Sequence, residues 1–157
     1  PKVAALAAKE HGDARKAIDI LRYAGEIADE HDDDRVRVEY VDEAHEREEE
    51  ARLAELIGKQ PEHSKYLLQG LALQMQQSTD TDAMIPSKQV YSAYEVVCER
   101  EGTDPLKIRR VRDLLSELAF LSLIEQNRKG RGKGKGAHTV NQLVDAPELI
   151  IEACKSA

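Results

Sequence analysis

Residues 128–136 form a run in which glycine alternates with positive charge, RKGRGKGKG. The run cannot be buried, because its charges need water, and it cannot continue a helix, because each glycine costs a helix interior about 1 kcal/mol relative to alanine. Residues 121–126 before it and residues 137–143 after it are both predicted to be strands. The sequence therefore predicts a β-hairpin with an exposed, basic tip.

The rest of the chain is predicted to be mostly helical, over residues 3–10, 13–30, 41–57, 64–77, 88–101, 105–119 and 147–154. Asp13 is a good N-cap for the second of these helices. Its apolar residues recur at three- and four-residue steps and predict one buried stripe, which comprises Ala14, Ala17, Ile18, Leu21, Ala24, Ile27 and Ala28. Ser87 is predicted to cap the helix over residues 88–101, and Gly102 to end it. Asp104 is predicted to cap the next helix, with Pro105 at its first position.

Gly58 and Pro61 mark a natural boundary between two domains. We therefore predict a mainly α-helical chain, with a helical domain at residues 1–58 and a second domain at residues 59–157. The second has the order helix, helix, helix, strand, basic loop, strand, which is that of a winged helix-turn-helix. Several unrelated families share this order, so it indicates a fold and not yet a function.

The net charge of −7 is not typical of a nucleic-acid-binding protein, but the charge is unevenly distributed. Residues 26–55 hold fourteen acidic and four basic side chains, a net of −10. Residues 105–139 hold nine basic and three acidic side chains, a net of +6. This asymmetry predicts two surfaces with different partners.

The helix over residues 105–119 places its apolar and polar residues on opposite sides. At 100° per residue, the apolar side gathers Ile108, Val111, Leu114, Leu115 and Leu118. The other side carries the candidate DNA contacts Arg109, Arg110, Arg112 and Ser116. A helix fits the major groove, where arginine can pair with guanine or reach a phosphate. Asp113 could orient Arg109 or Arg112 by pairing within the helix, and an ordinary solvated face is the alternative interpretation.

The hairpin tip adds five candidate phosphate contacts, which are Arg128, Lys129, Arg131, Lys133 and Lys135. Each cation can neutralise a phosphate, and the glycines let the backbone approach closely. A disordered, solubilising loop is the alternative. The glycines do not form a phosphate-binding P-loop, since no Gly-Lys-Ser or Gly-Lys-Thr follows at the required spacing.

A second basic site is predicted near the N-terminus. Arg15 and Lys16 fall in the first turn of the helix that Asp13 would cap, where the helix dipole disfavours positive charge. An anion bound to the free N–H groups of that turn would pair with these cations and explain why they are placed there. From these residues alone, an accidental placement is equally consistent.

The sequence predicts neither catalytic residues nor a metal site, because its five histidines are scattered and form no Ser/His/Asp or Cys/His arrangement. Cys98 and Cys154 match no metal or disulfide spacing, which favours a reducing compartment. No apolar run approaches the roughly 18 residues that a membrane helix needs. We expect a cytoplasmic, nucleoid-associated protein with no membrane partner, and the helical start pattern indicates a piece of a longer protein.

Residues 12–28, GDARKAIDILRYAGEIA, closely resemble the sensor-two helix of archaeal origin-recognition initiators, the Orc/Cdc-six family of AAA+ proteins. Further matches follow in order at residues 41–44 (VDEA), 63–68 (HSKYLL) and 109–118 (RRVRDLLSEL). The last of these resembles the recognition helix of the family's winged-helix domain. The resemblance covers essentially the whole chain, and residues 12–28 are its most specific part.

The resemblance implies an AAA+ lid helical subdomain followed by a winged helix with a small β-hairpin wing. In the family, a lid arginine reaches the γ-phosphate of ATP on the AAA+ core, and by position this would be Arg15. The winged helix binds double-stranded origin DNA, and the protein helps to recruit or load the MCM helicase. Walker A, Walker B and sensor-one segments are absent from this sequence. We therefore expect no enzyme activity and no cofactor in this chain alone, but an ATPase that uses ATP or ADP with Mg once its own AAA+ core is present.

Three other classes are consistent with parts of the sequence. Another AAA+ DNA machine, such as a branch-migration motor, has a winged helix but a different lid motif, and clamp-loader subunits end in a helical collar. A winged-helix transcription regulator usually dimerises through long terminal helices, whereas the final predicted helix covers only residues 147–154. A protein-interaction module would use the acidic segment to dock a partner.

Overall fold

The computed structural model of the chain describes residues 2–80, 83–130 and 138–156, with side chains from residue 13 onward. The elements are α1 (Lys2–Glu30), α2 (Val38–Gly58), α3 (Glu62–Gln77), β1 (Ile85–Pro86), α4 (Ser87–Arg100), α5 (Ile108–Phe120), β2 (Ile124–Lys129), β3 (His138–Leu143) and α6 (Pro147–Ser156). The chain divides into two compact units, Pro1–Leu53 and Ala54–Ala157. A mainly helical chain with one small antiparallel sheet confirms the predicted fold class.

The first unit has a small core between α1 and α2. Its fully buried members are Ala24, Ile27 and Ala44, and Ile20, Tyr23 and Tyr40 pack against them. Beside this core, Arg47 of α2 donates to both carboxylate oxygens of Glu30, at 3.0 and 2.9 Å, and to Glu43 at 2.9 Å. Aliphatic packing and a branched ion pair therefore both contribute to joining the two helices.

α1 runs without interruption from Lys2 to Glu30, so the predicted break at His11 and Gly12 is wrong. A single glycine costs a helix only about 1 kcal/mol, and good helix formers stand on both sides of it. As a result, Arg15 and Lys16 lie in the helix interior, where the backbone N–H groups already have acceptors. The interpretation of an anion site at a helix N-terminus is therefore wrong as well.

The predicted buried stripe of α1 forms only in the C-terminal half of the helix. Its buried members are Ala24, Ile27 and Ala28, and its exposed members are Ala14, Ala17, Ile18 and Leu21. The helix packs through a neighbouring side, which Ile20 and Tyr23 share with Ala24 and Ile27. Ile18 and Leu21, each 67% exposed, therefore form with Ala14 and Ala17 an exposed apolar surface that we call the α1 stripe.

The second unit packs α3, α4 and α5 with a three-stranded sheet of order β1-β3-β2, and α6 contacts α3. In the hairpin, pairing runs from Ile124 opposite Leu143 to Lys129 opposite His138. The sequence predicts a polar loop where β1 lies, because two residues are too few to produce a periodic pattern. The fully buried side chains include Leu67, Leu68, Leu71, Tyr94, Leu114, Leu115, Leu118, Leu123 and Ile150.

α3 and α4 approach each other most closely at Gly70. A Cβ atom on Gly70 would lie 2.9 Å from the backbone nitrogen of Tyr94 and 3.2 Å from the carbonyl carbon of Ala93. Both distances are shorter than ordinary van der Waals contact between such atoms. The absence of a side chain at Gly70 therefore sets the distance between the two helices.

Two tyrosines of α4 fix the segment that precedes α5. The hydroxyl of Tyr94 accepts a hydrogen bond from the N–H of Leu106 at 2.9 Å, and the hydroxyl of Tyr91 donates to the carbonyl of Leu106 at 3.0 Å. These bonds hold Leu106 outside the helix. The prediction that the helix starts at Pro105 is therefore wrong, and α5 begins at Ile108.

α4 and α5 each end in a turn with a left-handed residue. Gly102, with φ of 68°, ends α4 as predicted, and Ser122, with φ of 59°, ends α5. In the second turn, Ser122 N–H donates to Ala119 at 3.0 Å and Leu123 N–H donates to Leu118 at 3.1 Å, which is the Schellman pattern. The sequence predicts that β2 starts at residue 121. Because this turn occupies residues 121–123, β2 starts at Ile124 instead.

Candidate nucleic-acid interface

α5 buries one side and exposes the other, as its sequence pattern predicts. Val111, Leu114, Leu115 and Leu118 are at most 2% exposed, whereas Ile108 at the first position of the helix is 38% exposed. The opposite side exposes Arg109, Arg112, Asp113 and Ser116. The buried side holds the helix in the core, so the polar side is free to meet a ligand.

The arginines of α5 differ in whether their charge is already compensated. Arg110 donates to a carboxylate oxygen of Glu117 at 3.1 Å. Arg109 and Arg112 form no ion pair with any residue that the structure describes, so the proposed pairing with Asp113 within the helix is wrong. Arg109 and Arg112 therefore present the uncompensated charges of this helix.

A surface notch of about 530 Å³ lies where α5, the hairpin and the start of α4 meet. Each element contributes a basic side chain, namely Lys88 from α4, Arg112 from α5, Arg128 from β2 and His138 from β3. None of the described residues that line it is acidic. We call it the basic notch. It brings the predicted helix contacts Arg112 and Ser116 together with the predicted hairpin contact Arg128.

α4 begins at the basic notch without a side-chain cap. The predicted cap, Ser87, is instead the first residue of the helix, and Pro86 occupies the capping position. The hydroxyl of Ser87 is used elsewhere, because it donates to the carbonyl of Thr139 at 3.2 Å. The first N–H groups of α4 have no intrahelical acceptor, and the positive end of the helix dipole adds to the charge of the notch.

The fully buried side chain of Asn141 holds the parts of the notch together. Its Nδ2 donates to the carbonyl of Ile85 at 3.2 Å and to Oγ of Ser87 at 2.9 Å, and its Oδ1 accepts from Nε2 of Gln126 at 2.8 Å. One amide therefore ties β1, the start of α4 and β2 to β3.

Lys88 and His138 are basic residues of the notch that the sequence analysis missed. Nδ1 of His138 is buried and has no hydrogen-bond partner among the described residues. The hairpin register places His138 opposite Lys129, so strand pairing is the signal that could have revealed it. Lys88 lies far from the hairpin in sequence, and no local pattern connects the two.

The remaining predicted hairpin contacts are only partly described. Arg128 and Lys129 are both exposed. Arg131, Lys133 and Lys135 lie outside the described residues. Their roles stay predictions.

In the first unit, the neighbouring cations Arg15 and Lys16 have different surroundings. Nζ of Lys16 lies 3.6 Å from a carboxylate oxygen of Glu48 and 3.4 Å from one of Glu49. Arg15 is exposed and forms no ion pair within the described part of the chain. It lies beside the α1 stripe, since it follows Ala14 by one position on the helix.

Other chemistry is sparse in the described residues. They contain no group of three His, Cys, Asp or Glu side chains that could hold a metal. Cys98 and Cys154 are buried free thiols, and burial raises the pKa of Cys154 to about 11. Within the same residues, no helix combines the length and apolar character that a bilayer crossing requires.

The second unit combines α3, α4, α5 and α6 with a β-hairpin, and its basic notch lies between α5 and that hairpin. With the two-helix unit that precedes it, this architecture defines a winged-helix protein with a basic face. Sequence models of two family domains match the chain. Residues 1–46 match the Cdc6 AAA+ ATPase-type lid domain, and residues 55–153 match the CDC6 C-terminal winged-helix domain. The chain therefore belongs to the Cdc6 family, which confirms the resemblance seen at residues 12–28.

Relatives agree with this assignment. The chain is 41% identical over 152 residues to ORC1-type DNA replication protein 9 of Haloarcula marismortui, covering 97% of this chain and 36% of that protein. It is 38% identical over 148 residues to ORC1-type DNA replication protein 1 of Archaeoglobus fulgidus, covering 94% and 35%. It therefore spans about a third of the length of these curated relatives.

Solved structures show the same fold. The Aeropyrum pernix ORC1 protein, solved in complex with DNA, superposes with a TM-score of 0.70 at 34% identity, covering 99% of this chain and 39% of that one. Cdc6p of Pyrobaculum aerophilum matches with a TM-score of 0.52 at 21% identity, which shows the fold alone.

Proposed function

We propose that this chain is the part of a DNA replication initiator that binds and recognises double-stranded origin DNA. The basic notch carries the proposal: Arg112 of α5 and Arg128 of the hairpin line one cavity, and none of its described lining residues is acidic, in a chain of net charge −7. The Aeropyrum pernix relative in complex with DNA supports the same use of the fold. The family match favours this function over a transcription regulator or a branch-migration motor.

In this proposal, the exposed side of α5 enters the major groove and the hairpin follows the adjacent backbone. Arg109 and Arg112 reach base edges or phosphates, and Arg110 and Ser116 flank them. The notch accepts a phosphate between α5 and the hairpin. The tip contributes further phosphate contacts through Lys129, Arg131, Lys133 and Lys135. We place the lid at residues 1–58 and the winged-helix domain at residues 59–157.

The test compares two double variants that remove the same charge. Arg112→Gln with Arg128→Gln alters the notch, and Arg52→Gln with Lys59→Gln removes two exposed cations outside it. Affinity for a 30-base-pair duplex is measured by fluorescence anisotropy across a salt series. We expect the notch variant to bind more weakly, with a slope of log affinity against log salt that is shallower by about 0.9 for each phosphate that the variant no longer neutralises. If both variants show the same affinity and slope, net charge alone is responsible, and the notch is not the interface.

The first unit is proposed to act with the AAA+ core of the whole protein. The α1 stripe supports this, because a contiguous apolar surface on a charged helix is typical of a face that packs on another domain. Arg15 beside it is the proposed contact to the γ-phosphate of ATP bound with Mg on that core. Its exposure and lack of an ion pair among the described residues leave its charge available for this role.

Recruitment or loading of the MCM helicase is proposed for the whole protein. This step rests on family membership, and no described surface is assigned to it. Binding of purified MCM helicase to the chain, measured with and without duplex DNA, tests it. Lack of binding in both conditions would remove the helicase from the partners of this part of the protein.

A further inference from the structure

Phe120 is the only phenylalanine in the chain, and it is 90% exposed. No other large apolar side chain of the described residues is as exposed. Single exposed apolar residues are common on protein surfaces, so exposure alone carries little meaning. The position of Phe120 on α5 is what makes it informative.

Phe120 lies on the side of α5 that is proposed to face DNA. At 100° per residue, Arg109, Ser116 and Phe120 fall within about 40° of one another around the helix axis. Helical side chains lean towards the N-terminus, so the phenyl ring extends over the turn that contains Ser116. Phe120 therefore continues the row of side chains that Arg109 begins.

The neighbours of Phe120 leave it room to make a contact. Ser116 is small, and its hydroxyl donates to the carbonyl of Arg112 at 3.1 Å, so it lies against its own helix. The phenyl group itself is 90% exposed, so it is open to contact from outside the chain. A ligand that reaches Arg109 and Arg112 along the helix meets an apolar group at the end of α5.

We infer that Phe120 contacts the C5 methyl group of thymine in the major groove, so that the end of α5 selects an A·T pair. The thymine methyl is the apolar group that base edges present in this groove, and phenylalanine is among the residues that contact it. Arg109 and Arg112 offer charge to guanine or phosphate at the other end of the helix. The inference rests on the proposed DNA-binding function and adds the feature of the DNA that the helix reads.

The experiment removes single methyl groups from the DNA. The wild-type chain selects duplexes from a random-sequence pool, and the best-bound duplex is resynthesised with deoxyuridine replacing each thymidine in turn. We expect one position at which the wild type loses about fourfold in affinity, the equivalent of about 0.8 kcal/mol for one buried methyl group. Phe120→Ala should bind both duplexes equally, and Phe120→Leu should keep part of the discrimination.

Val96→Ala provides the matched control, because Val96 is an exposed apolar residue (63%) that lies on α4 and not on α5. It should discriminate between the duplexes as the wild type does. Equal methyl discrimination by wild type and Phe120→Ala overturns the inference and makes the phenyl group available to a protein partner. Absence of duplex binding by the wild type defeats the proposed function itself, which is a separate and distinguishable result.

Discussion

The buried amide of Asn141 shows how a single residue can organise a binding surface. It has no exposed surface, and it makes three hydrogen bonds to Ile85, Ser87 and Gln126. A buried amide without partners would cost more free energy than the bonds contribute, so all of these groups depend on one another. The shape of the basic notch therefore depends on a side chain that no ligand can touch.

Replacing Asn141 with leucine should lower the free energy of unfolding by about 1–3 kcal/mol, because the carbonyl of buried Ile85 and the partly buried side chains of Ser87 and Gln126 would lose their hydrogen bonds to the amide. Urea unfolding followed by circular dichroism measures the change. Asn127→Leu, on the exposed surface of the same hairpin, is the control and should change it by less than about 0.5 kcal/mol. Equal midpoints for the two variants would show that the network adds no stability.

At the scale of elements, the contact between α3 and α4 determines how the winged helix is assembled. The missing side chain of Gly70 lets the helices approach, and this proximity places Tyr94 where it can hold Leu106. The start of α5 therefore depends on the packing of two other helices.

We expect Gly70→Ala to destabilise the protein although alanine favours a helix by about 1 kcal/mol, because overpacking against the backbone of Tyr94 typically costs about 1–3 kcal/mol. Gly25→Ala in α1 is the matched control, since a Cβ there would meet nothing within 4 Å. It should stabilise the protein by about 0.5–1 kcal/mol. Thermal unfolding of both variants measures the difference, and shifts of the same sign would contradict this account.

The elements differ in how far the sequence could predict them. Helical periodicity and the glycine-cation run correctly predicted α3, α4, the hairpin and the buried side of α5, because these signals are local. The start of α5 could not be predicted, because bonds from Tyr91 and Tyr94 override the strong start signal at Pro105. The buried stripe predicted for α1 had helical periodicity, but the side of α1 that α2 covers is decided by tertiary packing, which the sequence pattern does not show.

The candidate interface shows the same division. Arg109 and Arg112 were predictable, because helical spacing alone places them opposite the buried leucines. Lys88 was not, because only the folded chain brings the start of α4 to the hairpin. His138 could have been found only by pairing the two predicted strands, which places it opposite Lys129. Phe120 was missed because it falls between the helix predicted to end at residue 119 and the strand predicted to begin at residue 121.

At the scale of the whole molecule, the charges are segregated along the chain. Residues 26–55 carry a net charge of −10 and residues 105–139 a net charge of +6. At physiological ionic strength the screening length is about 8 Å, so a duplex at the basic notch experiences mainly the local positive charge. Local charge, and not the net charge of −7, therefore decides whether DNA is attracted.

The α1 stripe yields a prediction that separates the chain from the whole protein. Ile18→Ser with Leu21→Ser should leave the unfolding temperature of this chain unchanged, because both side chains are 67% exposed. In the full-length protein the same variant should lower the free energy of unfolding by up to about 1.5–3 kcal/mol for each side chain that the AAA+ core buries. Calorimetry of both forms measures this. Val38→Ser, at a position that is 75% exposed on α2, is the control and should be neutral in both. If the variant has the same effect on both forms, the stripe does not dock on the core.

Ser122 and Asn141 fix the link between α5 and the hairpin, one through two backbone bonds and the other through buried side-chain bonds. The spacing between Arg112 and Arg128 is therefore set before any ligand arrives. A double helix must match that spacing by bending or twisting, and the energy this requires depends on base steps that the protein never touches. We expect the stiffness of the duplex, as well as its bases, to influence where this chain binds along a genome.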